Sequence, residues 1–524
     1  MAEENQSPPL LTRSDVVLAL LVGGVSLGLY LRTLAPWALP GDSGEFQVLA
    51  YQVGIAHTTG YPVYILLAKL FISLFPAGDV AYRVNLFSAV MGALTVAGVY
   101  LAGRLLTARR WAGLLGALAL MVSPTFWSQS LIAEVYTAGA AFLVAVWVAL
   151  LAWHKTNDAR ALFLAGLCGG VGLGAHANLA VAAPAVAFFL LLHRSRWRAL
   201  WKPALLGALA GVGLFLASFV IVDLNASPAN AFNAIYGPSR SFWGLTEDDL
   251  HNPAARIAFL ATAVQWRGAL FANPSKVMPE HVSDYVANLP NEFSLLTLGL
   301  AALGLAALLW QDRRLAALFG SALALHWIVY FNYRVGDIQV FYIPGYVWMA
   351  MLAGVGAAAL ARLAEKARCR GRRILETVVM PAIIVVAVTP ILSPRWEAVR
   401  DGAVPFLNAR GFVAGDETEI AYKVVANLVR QLEPNSILFT DWQRLYLYYY
   451  AAHVAQQRLD LQFVETYPHA EKPGLASSIP AFIRANIDAR PIYLSDWVGE
   501  IEAAGLEIRP VHFGVIRLFK VEKP

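Results

Sequence analysis

Four groups of side chains in this sequence have the types and spacing that chemistry requires. Asp42, Glu45 and His57 fall within "PGDSGEFQVLAYQVGIAHTTGYPVY", which runs from Pro40 to Tyr64. Glu134 stands with Tyr136 in "IAEVYTA", His176 with Asn178 in "GLGAHANLA", and Arg334 with Asp337 in "YRVGDIQVFYIP". A carboxylate held beside a hydroxyl can take its proton as a general base. An arginine can grip a phosphate through two parallel hydrogen bonds. All four groups adjoin apolar runs, and ionisable residues near membrane depth cost enough that they mark sites or partners.

Each group also has a structural reading. Asp42-x-x-Glu45 has the spacing of a capping box, in which Asp42 caps a helix and Glu45 reaches back to a free backbone N–H. That explains two acids, but not His57 or the Gly60-Tyr61-Pro62 break in the same loop. Glu134 suits a helix N-terminus, where negative charge meets the positive end of the dipole. His176 fits hydrogen-bonded packing, since no HxxxH or HxxE spacing accompanies it. Arg334 can pair with Asp337. At the level of spacing these readings stand open beside the chemical ones.

The elements that must position these residues follow from composition. The chain has 524 residues, 58% of them hydrophobic and 14% charged. Soluble domains carry roughly 25% charged residues, so a polytopic membrane protein is expected. The net charge of +5 is modest, and the two cysteines, Cys168 and Cys369, form neither a disulfide framework nor a CxxC metal site. The N-terminal "MAEENQSPPLLTRSD" lacks the basic start of a signal peptide, so the first apolar run reads as a retained anchor. A bilayer core of about 30 Å takes about 20 apolar residues per helix, which gives about eleven spans. They lie near 15–35, 83–104, 111–129, 134–153, 161–176, 178–193, 203–222, 293–310, 315–332, 340–361 and 375–393, the fifth and sixth being short.

Lysine and arginine gather after the second, fourth, sixth, eighth and tenth runs, which places those loops on the cytoplasmic side. The opposite face then receives the outer loop 36–82, Glu134, His176, the long loop 223–292, the Arg334 turn and the tail. Within 36–82 the spacing predicts an amphipathic helix from Asp42 to Val53, then an interfacial helix from Val63 to Phe75. The loop 223–292 is long enough for small helices that cover a site. After residue 393 charge rises, and "ILFTDW" and "IYLSDW" share a form, a strand followed by Asp-Trp. Asp441 and Asp496 are therefore expected to start helices after strands, in a small extracytoplasmic α/β domain over 394–524.

Over Gly41–Tyr64, and more loosely through "AYRVNLFSAV", "IAEVYTA" and "ILFTDWQRLYLYYY", the sequence resembles a family of bacterial polytopic membrane proteins. Their animal relatives are the transmembrane protein O-mannosyltransferases of the endoplasmic reticulum that modify plexin-type receptor domains. Both resemble the GT-C glycosyltransferase superfamily. The resemblance implies a GT-C-like transmembrane catalytic domain over 1–393 in the cytoplasmic (inner) membrane. It implies transfer of a monosaccharide, with mannose the expected sugar, from a polyprenyl-phosphate donor to a protein Ser or Thr hydroxyl on the outer face. The essential aspartate of the first outer loop falls on Asp42. The better-known protein mannosyltransferases have Asp and Glu adjacent there, whereas Ser43-Gly44 separate them in this chain.

The candidate set is then Asp42, Glu45 and Glu134 as catalytic residues, with His57, Tyr61, Tyr136, His176, Arg334 and Asp337 binding substrate. No cofactor is called for, although a divalent metal shared by Asp42 and Glu134 stays open. The expected partners are the lipid-linked donor, a protein or glycan acceptor and the bilayer, with no nucleic acid. A glycolipid or cell-wall glycan acceptor is the alternative within the class. A transporter would show repeated halves with broken helices in matching positions. This chain instead has acids at span ends and a structured first outer loop.

Overall fold

The structure, a computed structural model, describes residues 10–194, 197–366, 378–405, 416–468 and 474–524. The basic stretch 367–377, with Cys369, lies outside the described residues. The first ten helices are α1 (Arg13–Arg32), α2 (Gly41–Gln52), α3 (Pro62–Leu74), α4 (Val80–Thr107), α5 (Arg110–Met121), α6 (Pro124–Gln129), α7 (Tyr136–Thr156), α8 (Ala159–Gly172), α9 (Asn178–Leu191) and α10 (Trp197–Leu224). Short helices follow through 232–261. Then come the longer Pro274–Glu292, Leu295–Gln311, Arg313–Tyr330, Ile343–Lys366 and Met380–Leu392.

Each expected apolar run falls on a helix, but helix length supports fewer crossings than eleven. Among the described residues six helices are long and apolar enough to cross a membrane. The pair Pro274–Glu292 and Leu295–Gln311, bent by 111°, makes up to seven. The helices α3, α5, α8 and α9 hold only 12 to 14 residues. At 1.5 Å per residue they rise about 18–21 Å, short of a hydrocarbon core of about 30 Å. Proline opens the break after α5, at Pro124, and stands inside the short α9, at Pro184, without ending it.

Lipid offers no hydrophobic drive between helices, so close backbone approach through small residues holds them together. The α8/α10 pair shows this: a Cβ at Gly207 would lie 2.1 Å from the Phe163 carbonyl oxygen. Ion pairs gather the basic loops at one end of the bundle. Arg104 and Arg110 meet buried Asp15 at 3.1 and 2.9 Å, and Arg109 meets Glu365 at 2.8 Å. The other end carries α2, α3, the start of α7 and the turn between α8 and α9.

The tail contributes a five-stranded sheet in the order β2-β1-β3-β5-β4. The strands are β1 (Ile437–Thr440), β2 (Gln462–Glu465), β3 (Ile492–Leu494), β4 (Glu507–Phe513) and β5 (Ile516–Glu522). The first three pair in parallel, and β5 runs antiparallel to β3 and β4. All four β1 residues are buried, as a central parallel strand requires. One apolar core runs without a break from the membrane helices into the Trp442–Tyr449 helix and one face of the sheet. The other face has a separate cluster around Phe439, Ile479 and Leu494.

Asp441 caps the Trp442–Tyr449 helix as expected, accepting from the Arg444 backbone N–H at 3.1 Å. Asp496 does not cap. It pairs with Arg444 at 2.7 Å, and the next helix begins only at Gly499 with Val498 as its cap.

Candidate active site

The first outer loop is folded by its own polar side chains. The Leu39 N–H donates to Gln47 Oε1 at 3.0 Å, Gln47 Nε2 to Asn85 Oδ1 at 2.9 Å, and Asn85 Nδ2 to the Ala35 carbonyl at 2.8 Å. These bonds tie α2 to α4 and to the end of the first span. Pro40 is the N-cap of α2 and makes no side-chain capping bond. Asp42 therefore sits inside the first turn, and the capping-box reading is overturned. Its second acid, Glu45, is fully buried and turns away from the helix start to accept the His57 backbone N–H at 2.8 Å. The helix is also not amphipathic as expected: Ser43 through Ala50 are all buried. Position 44 requires glycine, because a Cβ there would lie 2.3 Å from the Leu39 carbonyl oxygen and 3.3 Å from Tyr446 Cβ.

Three and four residues apart on a helix share a face, so Asp42 and Glu45 present their carboxylates to one imidazole. His57 Nδ1 pairs with Glu45 in a short contact, and His57 Nε2 stands 3.8 Å from Asp42 Oδ2. Burial works against a charge on His57, but the Glu45 and Asp42 carboxylates outweigh it and push its pKa up to about 9. An imidazolium thus lies between two carboxylates. Asp42 alone of the three keeps substantial water contact, its side chain 40% exposed.

Gly60 and Tyr61 both take left-handed backbone conformations, φ 81° and 44°, which end the loop and start α3. The α3 start is anchored on the α8–α9 turn: the Val63 and Tyr64 N–H groups donate to the Gly174 carbonyl at 3.0 and 3.3 Å. That turn carries His176, which packs against Gly139 of α7 and against the rings of Tyr136 (4.9 Å), Phe341 (5.9 Å) and Tyr61 (6.0 Å). His176 Nδ1 accepts the Asn178 N–H at 3.0 Å, while its Nε2 is buried without a partner among the described residues. Burial pushes its pKa down to about 3, so the ring is neutral.

Glu134 lies just before α7, and its backbone is held by Ser88 of α4 in two bonds of 3.2 Å. Its carboxyl accepts from Ser43 Oγ at 3.1 Å. Burial first, then the charges of Asp42 and Asp337, lifts its pKa well above the usual carboxylate range. Asp337 accepts the Tyr136 hydroxyl at 3.4 Å, and burial together with Asp42 raises its pKa to about 6. The sequence-predicted residues Asp42, Glu45, His57, Tyr61, Glu134, Tyr136, His176 and Asp337 therefore form one cluster. Glu134 and Asp42 differ sharply in environment, which is how paired carboxylates divide acid and base roles.

Arg334 is exposed, on a turn that the 223–292 loop braces. Its N–H donates to the Ala269 carbonyl at 3.0 Å, and the Phe271 N–H donates to Asn332 at 2.8 Å. The same loop covers the first: Tyr236 accepts the Thr58 N–H at 2.9 Å and donates to Gln265 at 2.8 Å, while Trp266 donates to the Thr58 carbonyl at 3.3 Å. Among the described residues no group of three His, Cys, Asp or Glu side chains is arranged to hold a metal ion.

The sequence missed the contribution of the tail. Trp442 Nε1 donates to Asp42 Oδ1 at 3.0 Å, and its ring meets His57 edge-on at 5.6 Å. Glu465, at the end of β2, is 8% exposed, and burial followed by the Glu45 charge raises its pKa to about 8. No local signal marks these residues as partners of a loop some 400 positions earlier, although "ILFTDWQRLYLYYY" had stood out as a motif.

Residues 42–199 match the family described as the N-terminal domain of protein O-mannosyl-transferase TMEM260. The chain is 40% identical over 109 residues to protein O-mannosyl-transferase TMEM260 of Mus musculus, covering 21% of this chain and 16% of that protein. It is 27% identical over 237 residues to the protein of the same name from Dictyostelium discoideum, covering 41% and 29%. The match thus spans less than a third of either relative's length. Among solved structures, ArnT from Cupriavidus metallidurans in the apo state matches with a TM-score of 0.57 at 14% identity, over 97% of both chains. The same protein bound to undecaprenyl phosphate matches equally well. The chain is a helical membrane protein resembling the GT-C fold, and its N-terminal part is similar to protein O-mannosyltransferases.

Proposed function

We propose that this protein is a membrane glycosyltransferase that moves a monosaccharide, mannose the expected sugar, from a polyprenyl-phosphate donor to a protein Ser or Thr hydroxyl. The observation that carries this reading is the Asp42 carboxylate, water-accessible at the mouth of an otherwise buried polar cluster and braced by His57 and Trp442. Asp42 takes the proton of the acceptor hydroxyl while that oxygen bonds to the anomeric carbon. The bond from that carbon to the phosphate oxygen breaks, and polyprenyl phosphate leaves with the electron pair. General-base assistance of this kind contributes about 10²–10⁴ in rate.

The remaining roles follow from chemistry. The buried His176 Nε2–H, the donor nitrogen of a neutral ring whose Nδ1 already accepts, donates to an oxygen of the sugar, and Tyr61 and Tyr136 line the ring beside it. Asp337 and Glu134 bind sugar or leaving-group oxygens, the latter as a neutral donor. Arg334 grips the phosphate with its planar fork. A lipid-linked donor is supported by the similar fold of ArnT, which has been solved with undecaprenyl phosphate. The protein acceptor is supported by the names of the relatives. We further infer a transmembrane catalytic unit over 1–393 and an extracytoplasmic unit over 394–524, with the site on the outer face of the cytoplasmic membrane.

The test uses purified protein, a panel of radiolabelled polyprenyl-phosphate sugars and a membrane extract. Label moving from polyprenyl-phosphate mannose to protease-sensitive material supports the reading. Label moving to lipid or glycan instead shifts the acceptor, and transfer from none of the donors overturns the proposal.

A further inference from the structure

The Trp442–Tyr449 helix does more than rest on the membrane unit. It lies along α2 at the point where α2 carries the candidate base. Gln443 lies against Gly41, where a Cβ would be 3.2 Å from its Oε1, and Tyr446 closes on Gly44. The Tyr446 hydroxyl donates to the Ala229 carbonyl at 3.2 Å, and the Tyr450 hydroxyl accepts the Ala81 N–H at 3.1 Å. These contacts fix the helix on three separate parts of the membrane unit, so the Trp442 indole reaches Asp42 from a rigid base.

The geometry points to Trp442 as a positioning residue for transfer: its indole N–H holds one oxygen of the Asp42 carboxylate, so that the other oxygen is aimed at the acceptor hydroxyl. This rests on Asp42 being the base. An unheld carboxylate turns about χ2 in a broad, roughly two-fold well. Here Oδ1 accepts the Trp442 N–H at 3.0 Å, leaving Oδ2, 3.8 Å from His57 Nε2, as the oxygen without a close donor among the described residues. The indole ring also stands edge-on against His57 and screens the carboxylate–imidazole pair from that side. The tail thereby supplies part of the catalytic geometry, and an intact dock between tail and membrane unit becomes a condition of turnover.

Trp442→Phe tests positioning with the least change of packing, because it keeps an aromatic ring against His57 and Tyr446 and removes the N–H with one part of the bicycle. Hydrogen bonds to charged groups are among the stronger ones, and misplacement of a catalytic group falls on turnover. Full-length Trp442→Phe should melt like the parent and hold polyprenyl-phosphate sugar with unchanged KM, while kcat falls about tenfold or more. Trp442→Ala should lose more, in both kcat and melting temperature. Unchanged kcat in a folded Trp442→Phe protein overturns the inference, as does a loss confined to KM. An Asp42→Asn control keeps the two claims apart. If it abolishes transfer while Trp442→Phe does not reduce it, the base assignment stands and only the positioning role fails; if Asp42→Asn stays active, the base assignment itself fails.

Discussion

His57 is positively charged because two carboxylates flank it, and that arrangement has a measurable sign. Its pKa rises from the ordinary 6.5 to about 9 in the folded protein. Its contribution to stability is therefore fully present below about 6.5, shrinks as pH rises and is gone above about 9. Melting temperature of the detergent-purified protein should fall between pH 7 and 9.5. In Glu45→Gln the largest attraction holding that proton is gone, so the fall across this window should flatten; an unchanged slope would show that Glu45 does not hold the charge. At this scale the sequence revealed which residues gather, since acids and histidines beside apolar runs are conspicuous. It did not reveal how they pair. The Asp42-x-x-Glu45 spacing serves a cap or a shared imidazole equally well, and only the fold of 46–56 brings His57 back to the same face.

The element that decides the geometry is α2, which reads as amphipathic but is buried from Ser43 to Ala50 against α4, the tail helix and its own loop. An apolar stripe in the sequence shows the side facing the membrane bundle. The opposite face is polar or small, and its burial by a segment 400 residues distant has no local signature. Gly44 records that burial. A methyl group there would press into the Leu39 backbone and Tyr446, and overpacking of this kind costs about 1–3 kcal/mol. Gly44→Ala should lower the melting temperature and reduce transfer. Wild-type stability and activity in that variant would contradict the close approach of α2 to the Leu39 backbone and to Tyr446. The short helices α5, α8 and α9 were legible as apolar runs, but hydropathy does not say whether such a run crosses the bilayer, and the expected eleven crossings exceed the six or seven that helix length supports among the described residues.

Across the whole molecule, the basic loops cluster at one end and the polar cluster at the other. Lysine and arginine favour the cytoplasmic side, and the proposed topology accordingly has the site and the tail outside. A C-terminal alkaline phosphatase fusion should therefore be active in a bacterial host, and a C-terminal reporter that works only in the cytoplasm should be silent. The reverse pattern would place the site on the wrong face for an extracytoplasmic acceptor. The strand–Asp-Trp pattern announced the tail sheet in the sequence. Its docking onto α2 depends on long-range packing and emerges only in the fold.

The measurement that bears most directly on the central claim is sugar transfer by Asp42→Asn. Asparagine has nearly the shape of aspartate and still accepts the Trp442 N–H, so the loop should stay folded and the lipid-linked donor should bind as before. It cannot take a proton. The account predicts a folded protein with parental donor affinity, its melting temperature lowered only by the lost attraction of Asp42 for the His57 charge, whose transfer rate drops by about 10²-fold or more. A folded Asp42→Asn protein that transfers sugar at near the parental rate would contradict it.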